Sequence, residues 1–193
     1  MTLVSESHRF VFLHVPKSGG TSITDALVHL QSPRLVERLR STKHLRARDL
    51  SSALPELSVE DLFVFAFVRH PYDHLASWWT YLMEHPFHPQ YADTVAAGSF
   101  ASWVRLHAER PDVLQRDYTH DRNGCALIDF VGHHERIEED FAAVLERIGC
   151  GPIELPHRNA SCHRDRADLF DRQTRAFVAE RWKLDFEAFG YES

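Results

Sequence analysis

Cysteine is scarce. Three occur in 193 residues, Cys125, Cys150 and Cys162, odd in number and irregularly spaced. That excludes a disulfide framework and a regular zinc pattern, and it points to a reducing cytosol. Long apolar runs are missing too. No stretch of 18 apolar residues exists, which argues against a transmembrane helix and a membrane partner. The first residues lack the charged region, apolar run and cleavage site of a secretory signal. Positive charge is not in excess: 22 Lys and Arg stand against 28 Asp and Glu, for a net charge of −6. A nucleic-acid surface is therefore not expected. The ATP-type phosphate loop, Gly-x-x-x-x-Gly-Lys-(Ser/Thr), is absent, as is an Asp after a strand placed to bind Mg²⁺. No internal repeat, low-complexity segment or second domain is visible.

What remains suits one globular domain over residues 1–193, long enough to bury a real core. Hydrophobic residues make up 44% and charged ones 26%, both ordinary for a soluble protein. The 14 histidines make the net charge sensitive between about pH 5 and 7.

The chain is organised around Phe10 to Ile23. Phe10 to Val15 is apolar, aromatic or β-branched with one histidine, the pattern of a strand buried on both faces. Pro16 stops the pairing. Gly19 and Gly20 allow a tight turn and leave room for a ligand. Thr21, Ser22 and Thr24 suit the opening of a helix through Leu30. A strand, a glycine turn and a helix start aim N–H groups at one spot, where Lys17 adds a full charge; together they make an anion site.

Downstream, Ser32-Pro33 breaks the pattern, and residues 34–48 are rich in Arg and Lys. Such a run reads as a solvated face or as a rim that attracts an anion. A helix is expected over about 46–54. Asp61 to Val68 is a second buried strand, followed by a helix that Pro71 opens and Asp73 complements. Residues 84–98 read as a loop. A short helix over Phe100 to His107 turns Trp103 and Leu106 inward. Ala126 to Val131 is a third strand. A helix then runs to Ile148, with Ile137, Phe141, Val144, Leu145 and Ile148 on one stripe. A last helix spans Asp168 to Ala179, before an aromatic C-terminal segment that seals the core. Alternating strands and helices predict an α/β fold with a central, mainly parallel sheet, and a ligand beyond the carboxyl ends of its strands.

Pro16-Lys17-Ser18-Gly19-Gly20-Thr21-Ser22 resembles the 5′-phosphosulfate loop of sulfotransferases that use 3′-phosphoadenosine 5′-phosphosulfate (PAPS). The nearest branch is the carbohydrate sulfotransferases, which include the heparan 2-O enzyme and bacterial relatives. The resemblance extends to four further segments. Arg69, Pro71 and Ser77 match the 3′-phosphate site: a guanidinium offers a planar fork of donors and a hydroxyl a directed bond. Asn and Arg are common in relatives where His70 and His74 stand. Asp129, Phe130, Gly132 and Glu135 match a turn in which His133-His134 replaces Arg-Phe. Leu155-Pro156-His157, Asn159 and Ser161 match a loop near the cofactor, so Arg158, Asn159 and Ser161 are implied to touch or close over it. Asp185 to Tyr191 matches the C-terminal pattern.

The resemblance implies a P-loop-NTPase-like three-layer fold and PAPS as donor without a metal. The acceptor would be a hydroxyl or amine of a carbohydrate or small metabolite. Cofactor contacts would come from Lys17, Ser18, Gly19, Gly20, Thr21, Ser22, Arg69, Ser77, Arg158, Asn159 and Ser161. Lys17 and His44 would be catalytic, His44 as the base between the phosphosulfate loop and the next buried strand. His85-x-x-His88 and His133-His134 are not expected to bind metal. A proline-broken loop offers no fixed face, and adjacent ligands rarely point the same way. Animal relatives carry an N-terminal Golgi anchor; here the first strand is expected from about residue 8. The chain is read as a bacterial-type cytoplasmic protein or a trimmed domain, with Met1 favouring the first. Two alternatives stay open: a nucleotide or nucleoside kinase-like phosphotransferase, and a catalytically silent binding module of the same fold.

Overall fold

The structure is a computed structural model and describes residues 1–40, 44–111, 113–156 and 166–193. Strands are β1 (Leu3–Ser5), β2 (Phe10–Leu13), β3 (Phe63–Val68) and β4 (Phe130–His133). The helices are α1 (Gly20–Leu27), α2 (Pro33–Arg40), α3 (Leu50–Ala53), α4 (Pro71–Glu84), α5 (Tyr91–Ala96), α6 (Phe100–Ala108), α7 (Arg116–Thr119), α8 (Ile137–Arg147), α9 (Arg172–Arg181) and α10 (Lys183–Phe189). The chain divides into two compact units. One holds residues 1–69 and the segment that starts at Gln115; the other holds 70–114 and the C-terminal helices.

The first unit is a mixed α/β body built on a four-stranded sheet of order β1-β2-β3-β4. β1 runs antiparallel to β2, while β2, β3 and β4 are parallel. Alternation along each strand sorts side chains onto two faces. Phe10, Phe12, Phe65 and Phe67 face one way and pack with Ile23 and Leu27 of α1 and Phe141, Val144 and Leu145 of α8. Val11, Leu13, Val64 and Ala66 face the other way, against Leu35 and Leu39 of α2 and Leu50 of α3. Both faces are covered, so the strands read as continuous apolar runs. Each fully buried Phe or Leu contributes about 1.5–3 kcal/mol.

Several boundaries differ from the sequence expectation, each for a local reason. β1, only three residues long, offers too little pattern to read. Pro33 opens α2 rather than breaking a helix, because a first helical position needs no N–H partner. The third strand begins at Phe130, not Ala126: the Asp129 carboxylate accepts the Val64 N–H at 2.7 Å, and the Asp129 N–H donates back to the Val64 carbonyl at 2.8 Å. That exchange closes the start of the parallel pairing. Ala126 instead forms an isolated antiparallel bridge with His120.

Gly132 is set by packing rather than by backbone angle. A Cβ there would lie 2.6 Å and 2.7 Å from Cζ and Cδ1 of Phe67, whose ring is fully buried. Gly132→Ala is expected to destabilise by about 1–3 kcal/mol, the cost of overpacking a filled core. Urea unfolding reads this directly, and an unchanged midpoint would refute it.

The second unit, described by itself, is helical. Its core holds Leu75, Phe100, Trp103, Val104, Phe170, Val178, Trp182 and Phe186, with Tyr72, Trp78 and Trp79 packed against it. The aromatic C-terminal segment thus does seal a core. The expected loop over residues 84–98 contains α5. α6 buries Phe100, Trp103, Val104 and His107, a stripe at i, i+3, i+4 and i+7. Leu106 lies off that stripe and is 45% exposed, contrary to the inward position expected. His107 stacks on Trp103 at 4.7 Å. Burial, first, and the nearby Arg110 and Arg181 charges lower its pKa to about 4.

Candidate active site

Three connections leave the carboxyl edge of the parallel strands in the first unit: residues 14–19 after β2, Arg69 after β3, and His134 after β4. The loop after β2 has unusual backbone angles. Lys17 and Gly19 both have positive φ, 63° and 84°, while Ser18 between them does not. Such alternation turns successive N–H groups toward a common point. Gly19 is the N-cap of α1, and no side chain caps that end. The helix opening expected from the hydroxyl residues is therefore made by glycine geometry instead.

Ser18 is buried, and its hydroxyl donates to the Val15 carbonyl at 2.7 Å. That bond ties the loop to itself, so any contribution of Ser18 to an anion is through its N–H. The two glycines have reasons beyond ligand access. At Gly20 a Cβ would fall into the His14 ring, 2.9 Å from its Cγ. At Gly19 it would lie 2.5 Å from Ile137 Cδ1 and 3.1 Å from His134 Cδ2. Packing by neighbouring side chains thus requires glycine at both positions.

His44 reaches this loop although 30 residues separate it from His14. Its Nδ1 donates to the His14 carbonyl at 2.9 Å, and the two rings meet edge to face at 5.0 Å. With Nδ1 bonded to a carbonyl, the neutral ring carries its lone pair on Nε2. That is the arrangement a general base needs.

Arg69 is the residue after β3 and is 8% exposed. Its N–H donates to Gln115 Oε1 at 2.8 Å, and its carbonyl accepts from Gln115 Nε2 at 2.6 Å. Gln115 carried no signal in the sequence: one polar residue between Leu114 and Arg116 fits any helix start. Ser77 belongs to the second unit, where it is buried on α4. The expected contacts from Arg158, Asn159 and Ser161 lie outside the described residues.

The adjacent histidines part company. The His133 N–H donates to Asp140 Oδ2 at 2.6 Å, and its ring Nδ1 lies 3.6 Å from the same oxygen. His134 sits against Gly19. In the second unit, His85 Nδ1 donates to the Tyr81 carbonyl at 2.6 Å and its ring stacks on Tyr81 at 3.9 Å. His88 Nδ1 accepts the Gln90 N–H. Among the described residues no group of three or more His, Cys, Asp or Glu side chains could hold a metal ion. The basic run after α1 is in part a solvated face: Arg34 pairs with Glu6 and Arg38 with Glu56, all at the surface. No helix among the described residues is long and apolar enough to cross a membrane.

A mostly parallel sheet flanked by helices, with a phosphate-type loop between its first parallel strand and the next helix, defines a P-loop-like protein. A family model described as "Sulfotransferase family" matches residues 1–192. The chain belongs to the sulfotransferase family, and membership supports sulfuryl transfer as its general chemistry. No curated protein and no solved structure matches the chain.

Proposed function

We propose that the protein transfers a sulfuryl group from 3′-phosphoadenosine 5′-phosphosulfate to a hydroxyl or amine of a carbohydrate or small metabolite. The observation that carries this reading is the meeting of His44 with the loop that bears Lys17, at the carboxyl edge of the sheet. The donor supplies an activated sulfuryl group. The uncapped start of α1 and the positive φ values at Lys17 and Gly19 suit its 5′ end. The N–H groups of Gly19, Gly20, Thr21 and Ser22 hold the 5′-phosphate. Lys17 meets the negative charge that grows as the bond from sulfur to the bridging oxygen breaks. His44 Nε2 takes the acceptor proton as the acceptor atom bonds to sulfur. Arg69 holds the 3′-phosphate. The paucity of cysteine favours a cytoplasmic setting.

Thermal shift tests the donor assignment. 3′-Phosphoadenosine 5′-phosphate at about 100 times its Kd adds about 2.7 kcal/mol of stability. In a chain of this length that raises Tm by about 5–10 °C. ATP with Mg²⁺ at the same concentration should do far less. Equal or greater stabilisation by ATP removes the sulfotransferase donor and returns the kinase-like alternative.

A further inference from the structure

We infer that Gln115 is a positioning residue for the 3′-phosphate arginine, an inference that rests on the role proposed for Arg69. The last pairing of β3 with β4 is Val68 with His133. Arg69 lies one residue beyond it, where no neighbouring strand continues the ladder. A backbone N–H and C=O buried at that point need partners. The Gln115 side-chain amide supplies both, accepting at 2.8 Å and donating at 2.6 Å. One planar group therefore does for Arg69 what a further strand residue would do.

Gln115 is itself 1% exposed, so it is held in one orientation. It stands where the chain re-enters the first unit, and Arg69 is the last residue before the chain leaves it. The two amide bonds fix the backbone from which the Arg69 side chain departs at the strand end. A guanidinium that must meet a phosphate with a planar fork of donors is sensitive to that direction. Gln115 touches no reacting atom in this scheme; it acts only through Arg69.

The test compares two ligands, 3′-phosphoadenosine 5′-phosphate and adenosine 5′-phosphate, by calorimetry on the full chain. Their affinity ratio isolates the 3′-phosphate. Gln115→Leu keeps the volume and removes both bonds; Gln115→Asn keeps an amide but withdraws it by one methylene. Either variant is expected to lower the ratio by about tenfold, with adenosine 5′-phosphate affinity within about threefold of wild type. The unchanged second affinity reports an intact fold, which a merely structural role for Gln115 would not couple to a fallen ratio. If Leu abolishes folding, the Asn variant decides alone. A ratio kept at the wild-type value, or equal loss of both ligands in a folded variant, overturns the inference and leaves the donor assignment standing. A wild-type ratio near one overturns the assignment of Arg69 itself, and this inference with it.

Discussion

Replacing His44 with Ala is expected to lower kcat by about 10²–10⁴, the usual worth of a general base. Affinity for 3′-phosphoadenosine 5′-phosphate should barely change. The separation follows from geometry. The His44 ring meets the loop at the His14 carbonyl and the edge of the His14 ring. It lies outside the run of N–H groups from Gly19 to Ser22 proposed to hold phosphate. The pH profile provides the second reading. A protonated imidazole cannot accept the acceptor proton, so the wild-type rate should fall toward acid, and that limb should vanish in the variant. Isotope-labelled sulfuryl transfer to a panel of sugars and small alcohols, run at saturating donor, measures both. Near-normal turnover in His44→Ala would move the base elsewhere, and His14, whose ring lies 5.0 Å away, is the next candidate. Loss of nucleotide affinity would instead make His44 a support of the loop.

Lys17→Ala should lower kcat by about 10²–10³, the scale on which one aimed donor stabilises a developing anion. Unlike His44→Ala it should also weaken nucleotide binding, because an ammonium aimed at the leaving phosphate meets ground-state charge as well. Backbone strain does not confuse the comparison. Lys17 has φ of 63°, and Ala carries the same Cβ into the same left-handed region, so the substitution removes the charge and stem without changing the strain. Kd from calorimetry and single-turnover rates separate the two effects. A variant that binds and turns over as wild type would show that the loop amides hold the 5′ end without the lysine. Turnover lost with affinity intact would instead mean that Lys17 acts only once charge has moved.

The residues themselves determined a good deal. Two runs, Phe10 to Val15 and Asp61 to Val68, read as strands covered on both faces, because apolar residues are nearly continuous along them; the strands observed are Phe10–Leu13 and Phe63–Val68. A Lys-Ser-Gly-Gly-Thr-Ser stretch between such a strand and a helix made the strand-to-helix turn legible, since backbone permissiveness is a local property. The stripe of Phe141, Val144, Leu145 and Ile148 made α8 legible for the same reason.

Other features depend on who meets whom, which no local pattern encodes. The three residues of β1 and the true start of β4 were hidden, the first by its brevity and the second because a side-chain bond from Asp129 to Val64 decides the register. The proline that opens α2 looked like a break because only the following turn reveals its position in the helix. The loop glycines were legible as glycines, but their packing reason was not: the His14 ring at one and Ile137 with His134 at the other. His44 could be chosen by its place in the chain, yet only the fold seats it on the His14 carbonyl and so assigns its tautomer. Gln115 was invisible. Its partner is 46 residues away, and what makes it matter is the end of a strand ladder, a condition created only when β3 and β4 have paired.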